Sequence, residues 1–294
     1  MSTELRRGVI ADLITASRPL SWVNTAFPFA AAYLLTARDV DLALLLGTIF
    51  FLVPYNLAMY GINDVFDYAS DAANPRKGGA EGALLVPSRH RITIVVAVAL
   101  CAPFVAALIA LGGPASWAAL AVSLFAVAAY SVPGLRFKEI PFLDSVTSSV
   151  HFVSPAVYGL VLAGATFTPQ LVAVLLAFFA WGVASHAFGA VQDIVPDRDA
   201  GIASIGTVLG ARRTVRFAMA MWVAAGILML VTAWPGPLAS ILVVPYLAAA
   251  VPFARLDDVD AGRANRGWRQ FLAVNYVVGF FVTMLLIWYA TLTA

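Results

Sequence analysis

Charge is scarce in this chain: 12% of its 294 residues are Asp, Glu, Lys or Arg, and 62% are hydrophobic. A soluble domain carries about 25% charged residues, so the composition excludes a water-soluble globular protein and leaves an integral membrane protein. Cysteine is scarcer still. The one thiol, Cys101, lies inside an apolar run, which excludes any intrachain disulfide; it reads as a small core residue and leaves the redox compartment open. A cleavable leader pattern is missing as well, because the first apolar run, from Leu20, follows an amphipathic, charged start and is flanked by Arg18 and Pro19. Residues 5–16 carry Arg6, Arg7 and Asp12 on one side, so residues 1–18 are expected to form an interfacial segment and not a span.

What the chain has in plenty is apolar sequence of the length a bilayer needs, roughly 20 residues for ~30 Å of hydrocarbon. Segments near that length run 20–36, 42–61, 92–111, 115–132, 141–162, 171–191, 215–233, 238–254 and 271–292. The eighth is interrupted by Pro245 and Pro252. The expectation is an all-α, polytopic membrane protein of nine transmembrane helices, with residues 1–294 forming a single domain. Short turns rich in Gly and Pro, 112–114 and 234–237, separate helix pairs on one side, and longer charged loops separate them on the other. Of the 18 Lys and Arg residues, all but Arg38 fall at the amino terminus or in the loops after helices 2, 4, 6 and 8. The positive-inside rule then puts the amino terminus and those four loops on the cytoplasmic side of the cytoplasmic membrane, and the carboxyl terminus outside.

Two acidic clusters interrupt this basic side. Asp64, Asp67 and Asp71 close the second helix, and Asp193, Asp197 and Asp199 close the sixth; together they hold six of the sixteen acids. Carboxylates at the mouth of a membrane bundle are costly unless they are paired or bind metal. At 100° per residue, Asp64, Asp67 and Asp71 lie within about 60° of one helix face, with Asn63 on the adjacent edge. Stacked like charges repel, and a divalent cation removes that penalty. Mg²⁺ suits the spacing, because it takes one or two carboxylates and completes its octahedron with water and phosphate oxygens. In the second cluster Asp193 and Asp197 are one turn apart, and Pro196 between them is expected to end or bend the helix. The clusters match loosely as amide, acid, spacer, acid: Asn63-Asp64-x-x-Asp67 against Gln192-Asp193-x-x-x-Asp197. A solvated acidic loop is the plain alternative, although loops on this side are normally basic.

Cations accompany the acids. Arg76 and Lys77 follow the first cluster, Arg136 and Lys138 follow helix 4, Arg198 lies inside the second cluster, and Arg212 and Arg213 come later. Metal-bridged diphosphate clamped by Lys and Arg is a common way to stabilise a departing diphosphate, while positive-inside topology alone also predicts Lys and Arg here. Asp144, Thr147, Ser148 and His151 form a polar face on helix 5, and His186 lies about two turns before Asp193 on helix 6. Such a stripe lines a cavity or binds neighbouring helices. Each His is a candidate proton acceptor or a satisfied structural partner. The rings of Tyr55, Tyr60, Phe66, Tyr68, Tyr130, Tyr158 and Phe188 are candidates to shield a carbocation, or ordinary packing.

Taken together, an NDxxDxxxD box (Asn63, Asp64, Asp67, Asp71) and a DxxxDRxxG box (Asp193, Asp197, Arg198, Gly201) resemble those of the UbiA-type intramembrane prenyltransferases. The stretch from Tyr130 to Lys138 is similar to that family's loop after helix 4. Within the family the chain is most similar to lycopene elongases, which make C50 carotenoids, on its NPRKGGAEG context (residues 74–82), FVSPA (152–156), FGAVQDIVPDRDAG (188–201) and ANRGW (264–268). Gly201 stands where an acid would continue the four-residue steps, which leaves the second metal's ligand count open.

The resemblance implies a helical bundle around a central cavity open to lipid, and two Mg²⁺ ions as cofactors. The metal ligands would be Asn63, Asp64, Asp67 and Asp71 with Asp193, Asp197 and Asp199. Arg76, Lys77, Arg136, Lys138 and Arg198 would hold the substrate diphosphate. Tyr60, Tyr130, Asp144, Ser148, His151 and His186 would line the cavity. The partners implied are dimethylallyl diphosphate, lycopene and membrane lipid, with a carotenoid cyclase downstream and no nucleic acid. Transfer of a C5 unit to lycopene's end double bond would give C45 and C50 carotenoids, ending in proton loss or water capture. A prenyltransferase with an aromatic acceptor, such as a quinone precursor, would carry a similar donor site. CDP-alcohol phosphotransferases carry a DG-x-x-AR box that neither cluster matches. A cation channel or transporter predicts acids at mid-span, whereas these lie at helix ends.

Overall fold

The computed structural model describes residues 8–73 and 84–293, and every regular element among them is helical. Among the described residues, seven helices are long and apolar enough to cross a membrane: Leu42–Phe66, Pro87–Leu111, Pro114–Ser131, Leu143–Leu162, Pro169–Val191, Gly236–Phe253 and Asp258–Leu292. The chain is an integral membrane protein. Two of the nine expected spans fall short of that measure. Val23–Ala37 has only 15 residues, and Ala211–Met229 has 19 but carries Arg212, Arg213 and Arg216 in its first turns. The eighth expected segment changes helix type along its length, with 3-10 turns at Gly236–Val243 and Val251–Phe253 around an α-helix at Val244–Ala250. Pro245 and Pro252 lack an N–H and crowd the carbonyl four residues back, so a regular α-helix cannot run through them.

The chain forms two compact units, Met1–Arg136 with Ser154–Gly164, and Phe137–Val153 with Ala165–Ala294. In the first, the segment Leu42–Phe66 is not a straight rod. Pro54 breaks the helix Leu42–Leu52 at Val53, and the last carbonyls of that helix lose their regular partners. In hydrocarbon no water replaces them. Asn56 does so instead: its Nδ2 donates to the Phe51 carbonyl at 2.8 Å, to the Leu52 carbonyl at 3.1 Å and to Thr25 Oγ1 at 2.7 Å. Thr25 Oγ1 donates in turn to the Phe51 carbonyl at 2.7 Å. Around this polar knot pack Phe29, Phe51, Tyr55 and Tyr158, with Phe29–Phe51 centroids 5.3 Å apart and Phe51–Tyr55 5.1 Å apart. Beyond the kink a π-helical turn, Leu57–Gly61, leads into the short helix Ile62–Phe66. Such turns rotate the following residues relative to an α-helix and recur at functional sites.

The second unit is organised by stacked rings. Trp222, fully buried, lies against Tyr246 at 5.5 Å and Phe271 at 6.0 Å, with Phe188 edge-on at 5.7 Å. Trp268 continues the stack onto Phe271 at 4.8 Å. Gly267 sits where the helix Asn265–Leu292 touches its neighbours most closely: a Cβ there would meet Phe253 at 2.5 Å and Phe188 at 2.8 Å. Removing the central indole leaves a cavity that helical backbones do not readily close. Trp222→Ala is expected to cost about 3 kcal/mol, read as a lowered melting temperature of the detergent-solubilised protein. An unchanged melting temperature would show that the stack carries no stability.

Candidate functional site

The first acidic box lies at a break between two short helices. Ile62–Phe66 stops at Asp67, whose backbone (φ −98°, ψ −1°) leaves helical geometry, and a new helix, Tyr68–Ala73, begins. The second box is built in the same way. Pro169–Val191 stops at Gln192, Asp193 (φ −96°, ψ −3°) takes almost the same backbone conformation as Asp67, and the helix Ile194–Asp199 follows. In both, the amide four residues on donates back to the break residue's carbonyl at 2.8 Å, Asp71 to Asp67 and Asp197 to Asp193. The structural repeat is therefore Asp67-x-x-x-Asp71 against Asp193-x-x-x-Asp197. This corrects the sequence pairing of Asp64 with Asp193, which followed the neighbouring amide instead of the backbone. Pro196 does bend the chain, one turn earlier than its own position. A proline crowds the carbonyl four residues back, here that of Gln192, where the long helix ends.

In the first box the carboxylates are nearly inaccessible, with Asp64 1%, Asp67 7% and Asp71 7% exposed. Arg18 Nη2 donates to Asp64 Oδ1 at 2.8 Å, and its guanidinium lies 4.3 Å from the centre of the Tyr60 ring. Burial opposes the charge on Arg18, but Asp64, Tyr60 and Asp71 together outweigh burial and raise its pKa, so the guanidinium stays charged. Asn63 Nδ2 donates to Asp67 Oδ2 at 2.8 Å and to Ser131 Oγ at 2.9 Å. Arg136 Nη2 approaches Asp67 Oδ1 at 3.7 Å. Both arginines hold left-handed backbone, φ 50° at Arg18 and φ 41° at Arg136. That conformation costs about 1 kcal/mol or more outside glycine and tends to gather at functional sites.

Arg18 was missed by the sequence reading, which treated it as the edge of the first span. Its signal was a basic residue at the mouth of an apolar run, directly before Pro19. Arg76 and Lys77 lie outside the described residues. Tyr130 is half-buried in the last turn of Pro114–Ser131, beside the Ser131 that holds Asn63.

In the second unit Asp193 and Asp197 are half-buried and Asp199 is exposed. Arg198 has partners other than those expected of a diphosphate clamp: Nη1 donates to Asp258 Oδ2 at 2.7 Å, and Nη2 and Nε donate to the Thr207 carbonyl at 2.7 and 3.3 Å. Arg212 pairs with Asp257 at 2.8 Å. Asp144, fully buried, places Oδ1 on the Ser145 amide at 2.6 Å and Oδ2 on the Ile205 amide at 2.7 Å, and so fixes the start of the short helix Ile205–Leu209. His186 Nδ1 shares a 3.0 Å hydrogen bond with Ser145 Oγ. On the polar face, Thr147 and His151 are buried and Ser148 is half-buried; Lys138 is half-buried in the turn Phe137–Glu139.

Among the described residues no three His, Cys, Asp or Glu side chains form a ready-made metal cage. The donor set nevertheless fits Mg²⁺, which needs only one or two hard carboxylates and takes its other ligands from water and phosphate. The first box offers buried carboxylates at Asp64, Asp67 and Asp71, hard oxygen donors of the kind Mg²⁺ takes. The Arg18–Asp64 pair has a direct test. Deleting one partner of a buried ion pair costs about 3 kcal/mol, so Arg18→Ala should lower thermal stability in EDTA, and Asp64→Asn in the same chain should recover part of the loss. Equal melting temperatures for wild type and Arg18→Ala would remove the pair from the account of stability.

Residues 25–285 match the model of the UbiA prenyltransferase family. A C50 β-cyclic carotenoid biosynthesis protein of Dietzia sp. is 54% identical over 282 residues, 96% of this chain and 65% of that longer one. A lycopene elongase/hydratase of Corynebacterium glutamicum is 47% identical over 277 residues, 94% of this chain and 96% of that one. Among solved structures, a UbiA homologue from Archaeoglobus fulgidus bound to dimethylallyl diphosphate (DMAPP) and Mg²⁺ superposes with a TM-score of 0.65 at 18% identity, covering 91% of this chain and 98% of that one. At that identity the superposition speaks for the fold alone.

Proposed function

The chain belongs to the UbiA prenyltransferase family, and from that premise we propose that it moves a C5 dimethylallyl unit from dimethylallyl diphosphate to the end double bond of lycopene. The observation that carries the acceptor is the match, over nearly the whole chain, to relatives named lycopene elongase/hydratase at 46–47% identity. The observation that supports the chemistry is the pair of identically built Asp-x-x-x-Asp turns.

Each turn presents a carboxylate at a helix break and a second one turn later. Asp67 with Asp71, and Asp193 with Asp197, are the metal ligands of this reading, and Asn63 orients Asp67 through its 2.8 Å hydrogen bond. Mg²⁺, when bound, supplies the positive charge that stabilises the departing diphosphate. Arg136 and Lys138 add cations toward that diphosphate, together with Arg76 and Lys77. Arg198 is left to bracing, because its donors already serve Asp258 and Thr207. Arg18 neutralises Asp64 and keeps the first box from repelling itself. The allylic C–O bond breaks, the end alkene of lycopene attacks the C5 cation, and diphosphate leaves. The resulting tertiary cation ends by losing a proton or by taking up water. Both boxes belong to the cytoplasmic side in this reading, where the Lys and Arg asymmetry places their loops.

The test is incubation of the purified protein in lipid vesicles with lycopene, dimethylallyl diphosphate and Mg²⁺, read by mass spectrometry. A product heavier by one or two C5 units, lost in EDTA, is the expected result. Asp67→Ala and Asp197→Ala should each lower turnover by at least about a hundredfold. Near-normal turnover in either variant would sink the two-box mechanism. Diphosphate release with an aromatic acid acceptor, and none with lycopene, would move the acceptor to the quinone class.

A further inference from the structure

The second acidic box is held at both ends by one short segment far along the chain. At its start, Asn265 Nδ2 donates to Gln192 Oε1 at 2.6 Å, directly before Asp193. At its end, Asp258 Oδ2 accepts from Arg198 Nη1 at 2.7 Å, directly after Asp197. Asp258 and Asn265 bracket a single 3-10 helix, Asp258–Ala264. That helix is itself anchored. Asp258 Oδ1 accepts the Ala211 amide at 2.7 Å, at the first residue of Ala211–Met229, and the helix buries its own Ala261 and Ala264. The box is packed closely from another side as well, where a Cβ added at Gly206 would meet the fully buried Ile194 at 3.1 Å and the Ala190 carbonyl at 3.0 Å.

We infer that residues 258–265 form a strap that sets the orientation of Asp193 and Asp197, and that Asn265 and Asp258 are positioning residues for the metal this box binds. The inference rests on the Mg²⁺ reading proposed above. Gln192 and Arg198 flank the two acids in sequence, so a hydrogen bond at each restrains the five residues between them, and with them the short helix Ile194–Asp199, against rotation. Neither Asn265 nor Asp258 is a ligand in this account. Each acts through a residue adjacent to one, as groups behind a metal ligand commonly do. The Asn265 amide matches Gln192 in reach: the pair is closed by one long and one short amide side chain. The Asp258 carboxylate joins two jobs, capping a helix start and holding a guanidinium, which ties the box to Ala211–Met229.

Two readouts in lipid nanodiscs test this. Hydrogen–deuterium exchange follows the amides of 193–199, and titration follows the Mg²⁺ concentration needed for half-maximal binding of inorganic diphosphate. Asn265→Ala should raise exchange at 193–199 above that of the rest of the second unit and raise the half-saturating Mg²⁺ about tenfold. Asp258→Asn should act in the same direction. The reciprocal pair Gln192→Asn with Asn265→Gln should restore both readouts in large part, since it keeps the combined length. Exchange that rises evenly through the second unit, or an unchanged Mg²⁺ requirement beside a lowered melting temperature, would reduce the strap to ordinary packing and overturn the inference. If wild type binds no diphosphate with Mg²⁺, the functional reading falls and takes the metal-positioning role with it. Exchange at 193–199 in Asn265→Ala would then still decide whether the strap restrains the turn.

Discussion

The constraint on which this structure depends is that hydrocarbon offers no hydrogen-bond partner to a backbone. Straight helices meet it by themselves, and most of the chain is straight helix. A functional membrane bundle also needs interruptions, because side chains at helix ends can be aimed where side chains along a helix cannot. Two places here show the replacement partners. Asn56 and Thr25 take up carbonyls freed at the Val53 kink, and Asp144 takes the first amide of the helix Ile205–Leu209.

The same low dielectric shapes the acids. A buried carboxylate without compensation is costly, and the first box meets that cost with arginines brought from two other segments. Arg18 comes from before the first apolar helix and Arg136 from the loop after Pro114–Ser131, both in left-handed backbone. The second box is treated differently. Asp193 and Asp197 are more accessible, and Arg198, adjacent to Asp197 in sequence, is turned to Asp258. Two turns with the same backbone therefore differ in their surroundings, the first met by Arg18 and Arg136 on Asp64 and Asp67, the second held through Gln192 and Arg198.

Much of this was legible from local sequence. The spans follow from runs of apolar residues, and the boxes stand out because acids are rare in such a chain. Gln192 and Pro196 together mark where the sixth helix must end, although the physical effect of the proline falls one turn upstream of it. The break at Asp67 had no such mark, because no proline or glycine sits there and the π-helical turn Leu57–Gly61 that precedes it has no plain composition signal. That is why an alignment by residue type paired Asp64 with Asp193, where the backbone pairs Asp67 with Asp193.

Hydropathy, the placing of Lys and Arg, and the identity of the two acidic boxes are properties of adjacent residues, and the sequence by itself determined them. It also determined the family, since the box residues and their spacing are local. The tertiary structure decided which groups meet those boxes. Arg18 reaches Asp64 across 46 residues and Asn265 reaches Gln192 across 73, separations at which no periodicity or spacing rule operates. Such contacts exist because helices pack side by side and bring distant ends together. Their choice rests on the fit of particular side chains, a 2.8 Å guanidinium on a buried carboxylate and a 2.6 Å amide pair closing a strap.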